Sequence, residues 1–263
     1  MSDYFAQEFD TADRVFRSLS ISTPCTTHGI NHATVFIGAV FLHIYERYGK
    51  ASKKVAELGS GCGALSLFLA RQFPYFKFSC YELQKELHDY AILNSQENNI
   101  QNVVFNNADV SQLSRKDSGN ITLNLQKGSF DIVLSNPPHY IRSMGVTSEM
   151  SDRRIARTFD SPQAISDFFI SAYTLLRNKG TAIFVLHPNI LIDVYEFSRK
   201  NGFEPFEQYN AYSSVGKDAQ LSVVLFRKNG GKNFILRPPV FLRSSSQWKE
   251  FIDTEVFRNA YYF

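Results

Sequence analysis

Residues Val55 to Ala70 read VAELGSGCGALSLFLA, and this stretch decides the fold. A short apolar run enters three glycines spaced by two, Gly59, Gly61 and Gly63, and leaves through an apolar stretch with helical spacing. Glycine permits positive φ and close approach of a ligand to the backbone, and the unpaired N–H groups of a helix start favour a polar or anionic ligand. The reading is strand, ligand loop, helix. The loop alone also satisfies the G-x-G-x-x-[G/A] pattern of dinucleotide binders, so the distinction rests on residues outside it.

Working outward, strands are expected near Lys54 to Leu58, Lys77 to Glu82, Val103 to Asn106, Asp131 to Leu134, Thr181 to Leu186, Glu204 to Ala211 and Gln220 to Arg227. Helices fall at residues 33 to 48, with Gly49 as the stop, and near Ala64 to Gln72, Gln84 to Asn98, Ser161 to Asn178 and Asn189 to Asn201. Alternation of this kind is the signature of βαβ units and a mostly parallel sheet. The connection Tyr212 to Ala219 is too short for a crossover helix, so the last two strands form an antiparallel hairpin. The polar stretch Ser111 to Ser129 reads as a loop.

Three carboxylates stand where a ligand of an open α/β sheet would lie, beyond the carboxyl ends of strands. Glu57, with Leu58, precedes the glycines and is placed to receive an ammonium group. Glu82, followed by Leu83, closes the next strand and suits ribose hydroxyls. Asp109, followed by Val110, suits an adenine amino group. Each acid could instead cap a following helix, a role common for such residues. Ser60 belongs to the same loop.

A second motif follows the fourth expected strand: FDIVLSNPPHY, residues 130 to 140. Two consecutive prolines remove backbone donors and hold Asn136 extended, so the turn presents acceptors. Such a turn suits a planar NH2 group. Its lone pair is delocalised, and two acceptors that hold its hydrogens turn that pair toward an electrophile. His139 or Tyr140 offers a ring on which a base could stack.

Together these motifs make the chain resemble the class I methyltransferases that modify amino groups and carry an Asn/Asp-Pro-Pro-aromatic turn. The resemblance covers residues 50 to 227. It implies a Rossmann-like α/β fold, a seven-stranded, mostly parallel sheet with an antiparallel final strand. It also implies S-adenosyl-L-methionine contacts at Glu57, Leu58, Gly59, Ser60, Gly61, Gly63, Glu82, Leu83, Asp109, Val110 and Asn136, and amine recognition by Asn136, Pro137, Pro138, His139 and Tyr140. Within that superfamily the chain is similar to bacterial tRNA adenine-N6 methyltransferases, through its length, the basic stretch Leu236-Arg237-Pro238-Pro239-Val240-Phe241 and the aromatic tail Asn259 to Phe263. It departs at His139, where that family has tyrosine or phenylalanine. Residues 1–49 would be an N-terminal segment with lid and helix, and 50–263 the methyltransferase domain with a basic extension, in one compact body.

Charge is unevenly distributed. Residues 1 to 13 hold four acids and no base, whereas 227 to 249 hold six bases and no acid. Those bases are Arg227, Lys228, Lys232, Arg237, Arg243 and Lys249, and with Arg142 they form the expected RNA-phosphate surface; a solvated edge is the plain alternative. The net charge of +3 does not by itself identify a nucleic-acid binder. The three cysteines lack paired or zinc-ligand spacing, and His28 and His32 have no third ligand nearby, so no metal is expected. The first residues are acidic where a signal peptide is basic, and no apolar run reaches membrane-spanning length, so a cytoplasmic, membrane-free monomer acting on RNA, most simply tRNA, is the expectation. A glutamine-amide methyltransferase and a non-catalytic RNA-binding protein of the same fold are the competing readings.

Overall fold

The computed structural model describes residues 18–24, 31–45, 51–113, 126–137, 140–141, 158–159 and 162–241. In chain order the elements are α1 (His32–Tyr45), β1 (Lys54–Leu58), α2 (Ala64–Gln72), β2 (Lys77–Glu82), α3 (Lys85–Glu97), β3 (Val103–Asn107), β4 (Phe130–Ser135), β5 (Tyr140–Ile141), β6 (Thr158–Phe159), α4 (Pro162–Leu175), β7 (Leu176–Leu186), α5 (Leu191–Lys200), β8 (Phe203–Tyr212), β9 (Ala219–Lys228), β10 (Ile235–Leu236) and β11 (Val240–Phe241). Short 3₁₀ turns at Val110–Gln112 and Pro188–Ile190 lead out of β3 and into α5.

The main sheet has the order β10-β8-β9-β7-β4-β1-β2-β3, with β11 also on β8. β3, β2, β1, β4 and β7 pair in parallel, and β9 runs antiparallel between β7 and β8. The expected seven strands and the antiparallel final one are present; β10 and β11 extend the edge. Side chains alternate cleanly across the sheet. Val55, Phe78, Ile132, Leu134, Ile183 and Val223 join the core under α1 and α2, whereas Ala56, Leu58, Val133, Phe184 and Phe226 join the core under α4 and α5. A sheet covered on both faces explains why the central strands read as continuous apolar runs.

One boundary differs from expectation. β7 begins at Leu176, directly after α4, and its pairing with β4 jumps from Phe130↔Leu176 to Ile132↔Thr181. Lys179 in this excursion takes φ 61°, a left-handed conformation that shortens the link between helix and strand. The polar Arg177-Asn178-Lys179 sequence hides this pairing from any hydrophobic pattern.

α1 is buried on nearly its whole circumference, from Ala33 through Leu42, and Asn31 caps it by accepting from the Thr34 N–H at 3.0 Å. No helix among the described residues is long and apolar enough to cross a membrane, and no cluster of three metal-ligating side chains is found among them.

Candidate active site

The parallel strands end together, and two register pairs fix the site. Leu58 pairs with Ser135 across β1 and β4, and with Tyr81 across β1 and β2. The residues that follow, Gly59 and Asn136, therefore leave neighbouring strands about 4.8 Å apart. The Ser135 hydroxyl donates to the Leu58 carbonyl at 2.9 Å, tying the two exits together. Asn136 is half-buried and Pro137 buried. Pro138 and His139 lie outside the described residues; Tyr140 opens β5, which pairs with β6.

All three glycines are left-handed, with φ of 72°, 56° and 83° at Gly59, Gly61 and Gly63. The Gly59 and Ser60 N–H groups both donate to the Tyr81 carbonyl, at 2.8 and 3.1 Å, which extends the β1–β2 pairing into the loop. The Gly61 N–H donates to Glu82 Oε2 at 2.8 Å. A methyl group on Gly61 would meet nothing within 4 Å, whereas one on Gly63 would strike the Phe105 ring. The loop is thus open above Gly61 and packed shut beneath Gly63. Gly63 begins α2 without a side-chain cap of its own, and the first turn is instead held from within the site, where the Ser66 N–H donates to the Glu57 carboxyl.

The three expected carboxylates occupy different environments. Glu57 is buried at 3% exposure and accepts from the Ser66 hydroxyl, to which the Cys80 thiol donates at 2.9 Å. Burial, opposed by the Ser66 bond and helped by the nearby Glu82 charge, pushes the Glu57 carboxyl up to about 8. Glu82, also buried, accepts from Gly61 N–H on one oxygen and from Gln84 N–H at 2.8 Å on the other, so it organises both the loop and the start of α3. Asp109 caps the Val110–Gln112 turn by accepting from Ser111 N–H at 2.8 Å; for this acid the capping role is realised. Val110 is buried and its carbonyl accepts from Ser171 of α4, whereas Leu83 is 57% exposed beside Glu82, an apolar surface suited to a ligand ring.

Fit to a cofactor has a direct indicator. Among the described residues, Ser60 Oγ is the buried side-chain polar atom with no hydrogen-bond partner. A buried hydroxyl left unpaired costs on the order of 1–3 kcal/mol, and a polar ligand on the loop would satisfy it. A loop with a waiting hydroxyl, open space at Gly61 and two buried acids beside it suits a polar ligand.

Among the described residues, the basic strip is divided between different partners. Because β9 runs against β7, Arg227 is level with Thr181 at the end of the sheet away from the glycine loop. Lys228, one residue further, donates to the Tyr173 and Leu176 carbonyls at 2.6 and 2.7 Å and lies over the Tyr173 ring, so it caps α4. Burial pulls its pKa down. Arg227 donates to the Lys179 carbonyl and stacks on Phe206, and Arg237 bonds Glu207 at 2.6 Å; Lys232 is exposed. The chain then returns along β8, and Phe241 of β11 pairs with Tyr212 at the end of the sheet that carries the glycine loop. Arg142, Arg243 and Lys249 lie outside the described residues.

Sequence reasoning passed over Ser135, Ser66, Phe168 and Asn94. Phe168 packs beneath Gly59, its ring 3.4 Å from where a Cβ would stand. Asn94 was detectable: Leu87, Ala91 and Asn94 form the buried stripe of α3 at helical spacing, and the last is polar.

The methyltransferase small domain model matches residues 32–194, more than half of the chain and both motifs. The chain belongs to this family. It is an S-adenosyl-L-methionine-dependent methyltransferase of class I. Among curated relatives, a tRNA1(Val) (adenine(37)-N6)-methyltransferase of Haemophilus influenzae is 27% identical over 68% of this chain and 71% of its own length. One of that name from Vibrio campbellii is 28% identical over 51% of this chain and 50% of its own. Among solved structures, a methyltransferase of Pyrococcus furiosus superposes with TM-score 0.55 at 16% identity, covering 85% of this chain and 98% of that one. A Thermus thermophilus 16S rRNA N2 G1207 methyltransferase in complex with AdoMet and guanosine has TM-score 0.51 at 19% identity, covering 77% and 44%. These likenesses agree with the expected fold.

Proposed function

We propose that the protein transfers a methyl group to the exocyclic N6 amine of an adenine in RNA, with tRNA as the substrate. The observation that supports this reading is the pairing of Leu58 with Ser135, which sets Asn136-Pro137 beside the glycine loop at one sheet end. S-adenosylmethionine supplies an electrophilic methyl group on sulfur. Gly59, Ser60, Gly61 and Gly63 would hold its polar end, Glu82 its ribose, and Asp109 with Leu83 its adenine; Glu57 would hold its ammonium, whose charge draws the carboxyl back to its ionised form. Asn136 Oδ1 and a backbone carbonyl of the turn accept the two hydrogens of the target amine. Its lone pair is thereby directed along the line of transfer and the developing positive charge on nitrogen is stabilised; as the nitrogen–carbon bond forms the sulfur–carbon bond breaks, so S-adenosylhomocysteine would leave and the surplus proton on nitrogen would pass to solvent. His139 or Tyr140 stacks on the base.

The choice of tRNA follows the names of the curated relatives. The bases proposed to meet RNA phosphates are Arg142, which follows Ile141 in the sequence, and Arg243 and Lys249, which follow β11, the strand that ends at the site end of the sheet. The test is transfer of labelled methyl into total tRNA, ribosomal RNA and release-factor protein, followed by nucleoside analysis. Label in N6-methyladenosine of tRNA is expected. Label confined to protein would move the assignment to the amide methyltransferases. Asn136→Ala is expected to abolish transfer while S-adenosylmethionine binding stays within a few-fold, since the turn's acceptors serve the amine; unchanged turnover would remove the proposed role.

A further inference from the structure

The segment before α1 is held by a side-chain ladder. Asn94 Oδ1 accepts from the Ser22 N–H at 2.8 Å, and Asn94 Nδ2 donates to the Ser22 carbonyl at 3.0 Å. One helical turn later the pattern repeats: Asn98 Oδ1 accepts from the Ser20 N–H at 3.0 Å, and Asn98 Nδ2 donates to the Ser20 carbonyl at 2.7 Å. The spacings match. Alternate residues of an extended chain are about 6.6 Å apart, and residues four apart on a helix rise by about 6 Å. Asn94 on α3 and Asn98 at its C-cap thus read alternate residues of the strap as a neighbouring strand would. Ser20 Oγ adds a bond to Glu97, and Arg71 reaches Ser18.

The two rungs differ in one respect. Asn94 is completely buried, and its Nδ2 also donates to the Cys62 carbonyl of the glycine loop at 2.9 Å. The one amide group therefore holds the strap on one side and the loop between Gly61 and Gly63 on the other. The loop has other anchors of its own, through Gly61 to Glu82 and through Gly63 to Ser60, so the Asn94 bond is the one that also reaches the strap. We propose that Asn94 is a positioning residue that couples docking of the strap at Ser20–Ser22 to the cofactor-binding conformation of the glycine loop. Coupling of this kind is reciprocal: a docked strap favours cofactor binding, and bound cofactor favours a docked strap. The inference rests on the glycine loop as the S-adenosylmethionine site.

Three variants test it. Ser22→Pro removes the strap's donor to Asn94 without altering α3 or the loop; Asn94→Asp keeps the acceptor and removes both donors; Asn98→Ala loosens the strap without touching the loop. In the cofactor-free protein, hydrogen exchange at residues 61–65 should accelerate in Ser22→Pro and Asn94→Asp, and much less in Asn98→Ala. Titration with S-adenosylmethionine should show affinity weakened roughly tenfold by Asn94→Asp and several-fold by Ser22→Pro, as expected for loss of a buried hydrogen bond. Turnover at saturating cofactor should hold near the wild-type value. Unchanged exchange at the loop together with unchanged affinity in Ser22→Pro would overturn the coupling and leave the ladder purely structural. A wild-type protein that does not bind S-adenosylmethionine would instead sink the functional reading, and the exchange experiment would still decide the coupling.

Discussion

Replacing Gly63 by alanine should cost the fold far more than the same change two residues earlier, and the structure supplies both magnitudes. Gly63 has φ +83°, and a Cβ placed on it would stand 2.7 and 2.9 Å from carbons of the Phe105 ring and 3.2 Å from Ala91 Cβ. A left-handed alanine costs about 1–2 kcal/mol. Forcing the ring aside adds about 1–3 kcal/mol of overpacking. The sum is about 2–5 kcal/mol. Gly61 has φ +56° but open space around its Cβ direction, so only the first cost, about 1–2 kcal/mol, applies. Urea unfolding of the cofactor-free variants measures the difference directly. Phe105→Leu in the Gly63→Ala background should recover part of the loss, since these residues share the contact. Ligand affinity should rank the other way relative to stability, because a methyl on Gly61 enters the open side of the loop where S-adenosylmethionine is proposed to lie. Equal unfolding free energies for Gly61→Ala and Gly63→Ala would refute the packing argument.

Ser60→Ala should stabilise the cofactor-free protein by about 1–3 kcal/mol, because it removes a buried hydroxyl that has no partner, while weakening S-adenosylmethionine binding about tenfold in calorimetry. Glu57 makes stability depend on pH with a definite sign. Its carboxyl lies near 8 in the fold against 4.5 when unfolded, so the folded state keeps a proton that the unfolded state releases. Stability contributed by this group is full below about 4.5 and declines as pH rises toward 8; urea midpoints for wild type and Glu57→Gln should diverge across that window, with the variant lacking the decline. Lys228→Ala should destabilise the fold by about 1–3 kcal/mol through loss of its bonds to the Tyr173 and Leu176 carbonyls, and leave the Michaelis constant for RNA unchanged. A raised Michaelis constant without loss of stability would return Lys228 to the RNA surface.

The parts of the molecule legible in its sequence are those where local chemistry forces the backbone. Glycines at 59, 61 and 63 are the residues that take a left-handed backbone without steric cost, and each is left-handed. Asn136-Pro137 ends β4 because proline supplies no ladder donor, and the placement beside the loop then follows from which strands pair. The hairpin of β8 and β9 follows from a connection too short to cross over. Less legible is what depends on direction through space. The six bases between residues 227 and 249 form one run in the sequence, but a run of charge carries no orientation. β9 descends to the end of the sheet away from the loop, and the chain climbs back along β8, so Arg227 and Phe241 stand at opposite ends. Pairwise neutralisation divides the run further, since Arg237 meets Glu207 from a strand thirty residues earlier. Asn94 is the intermediate case. Its place on the buried stripe of α3 could be read from helical period alone, and a buried amide must find partners. What the period does not contain is that those partners belong to two separate segments earlier in the chain, the strap and the glycine loop. A polar residue on an apolar helical stripe is therefore a sound reason to look for a joint between segments, even where its partners cannot yet be named.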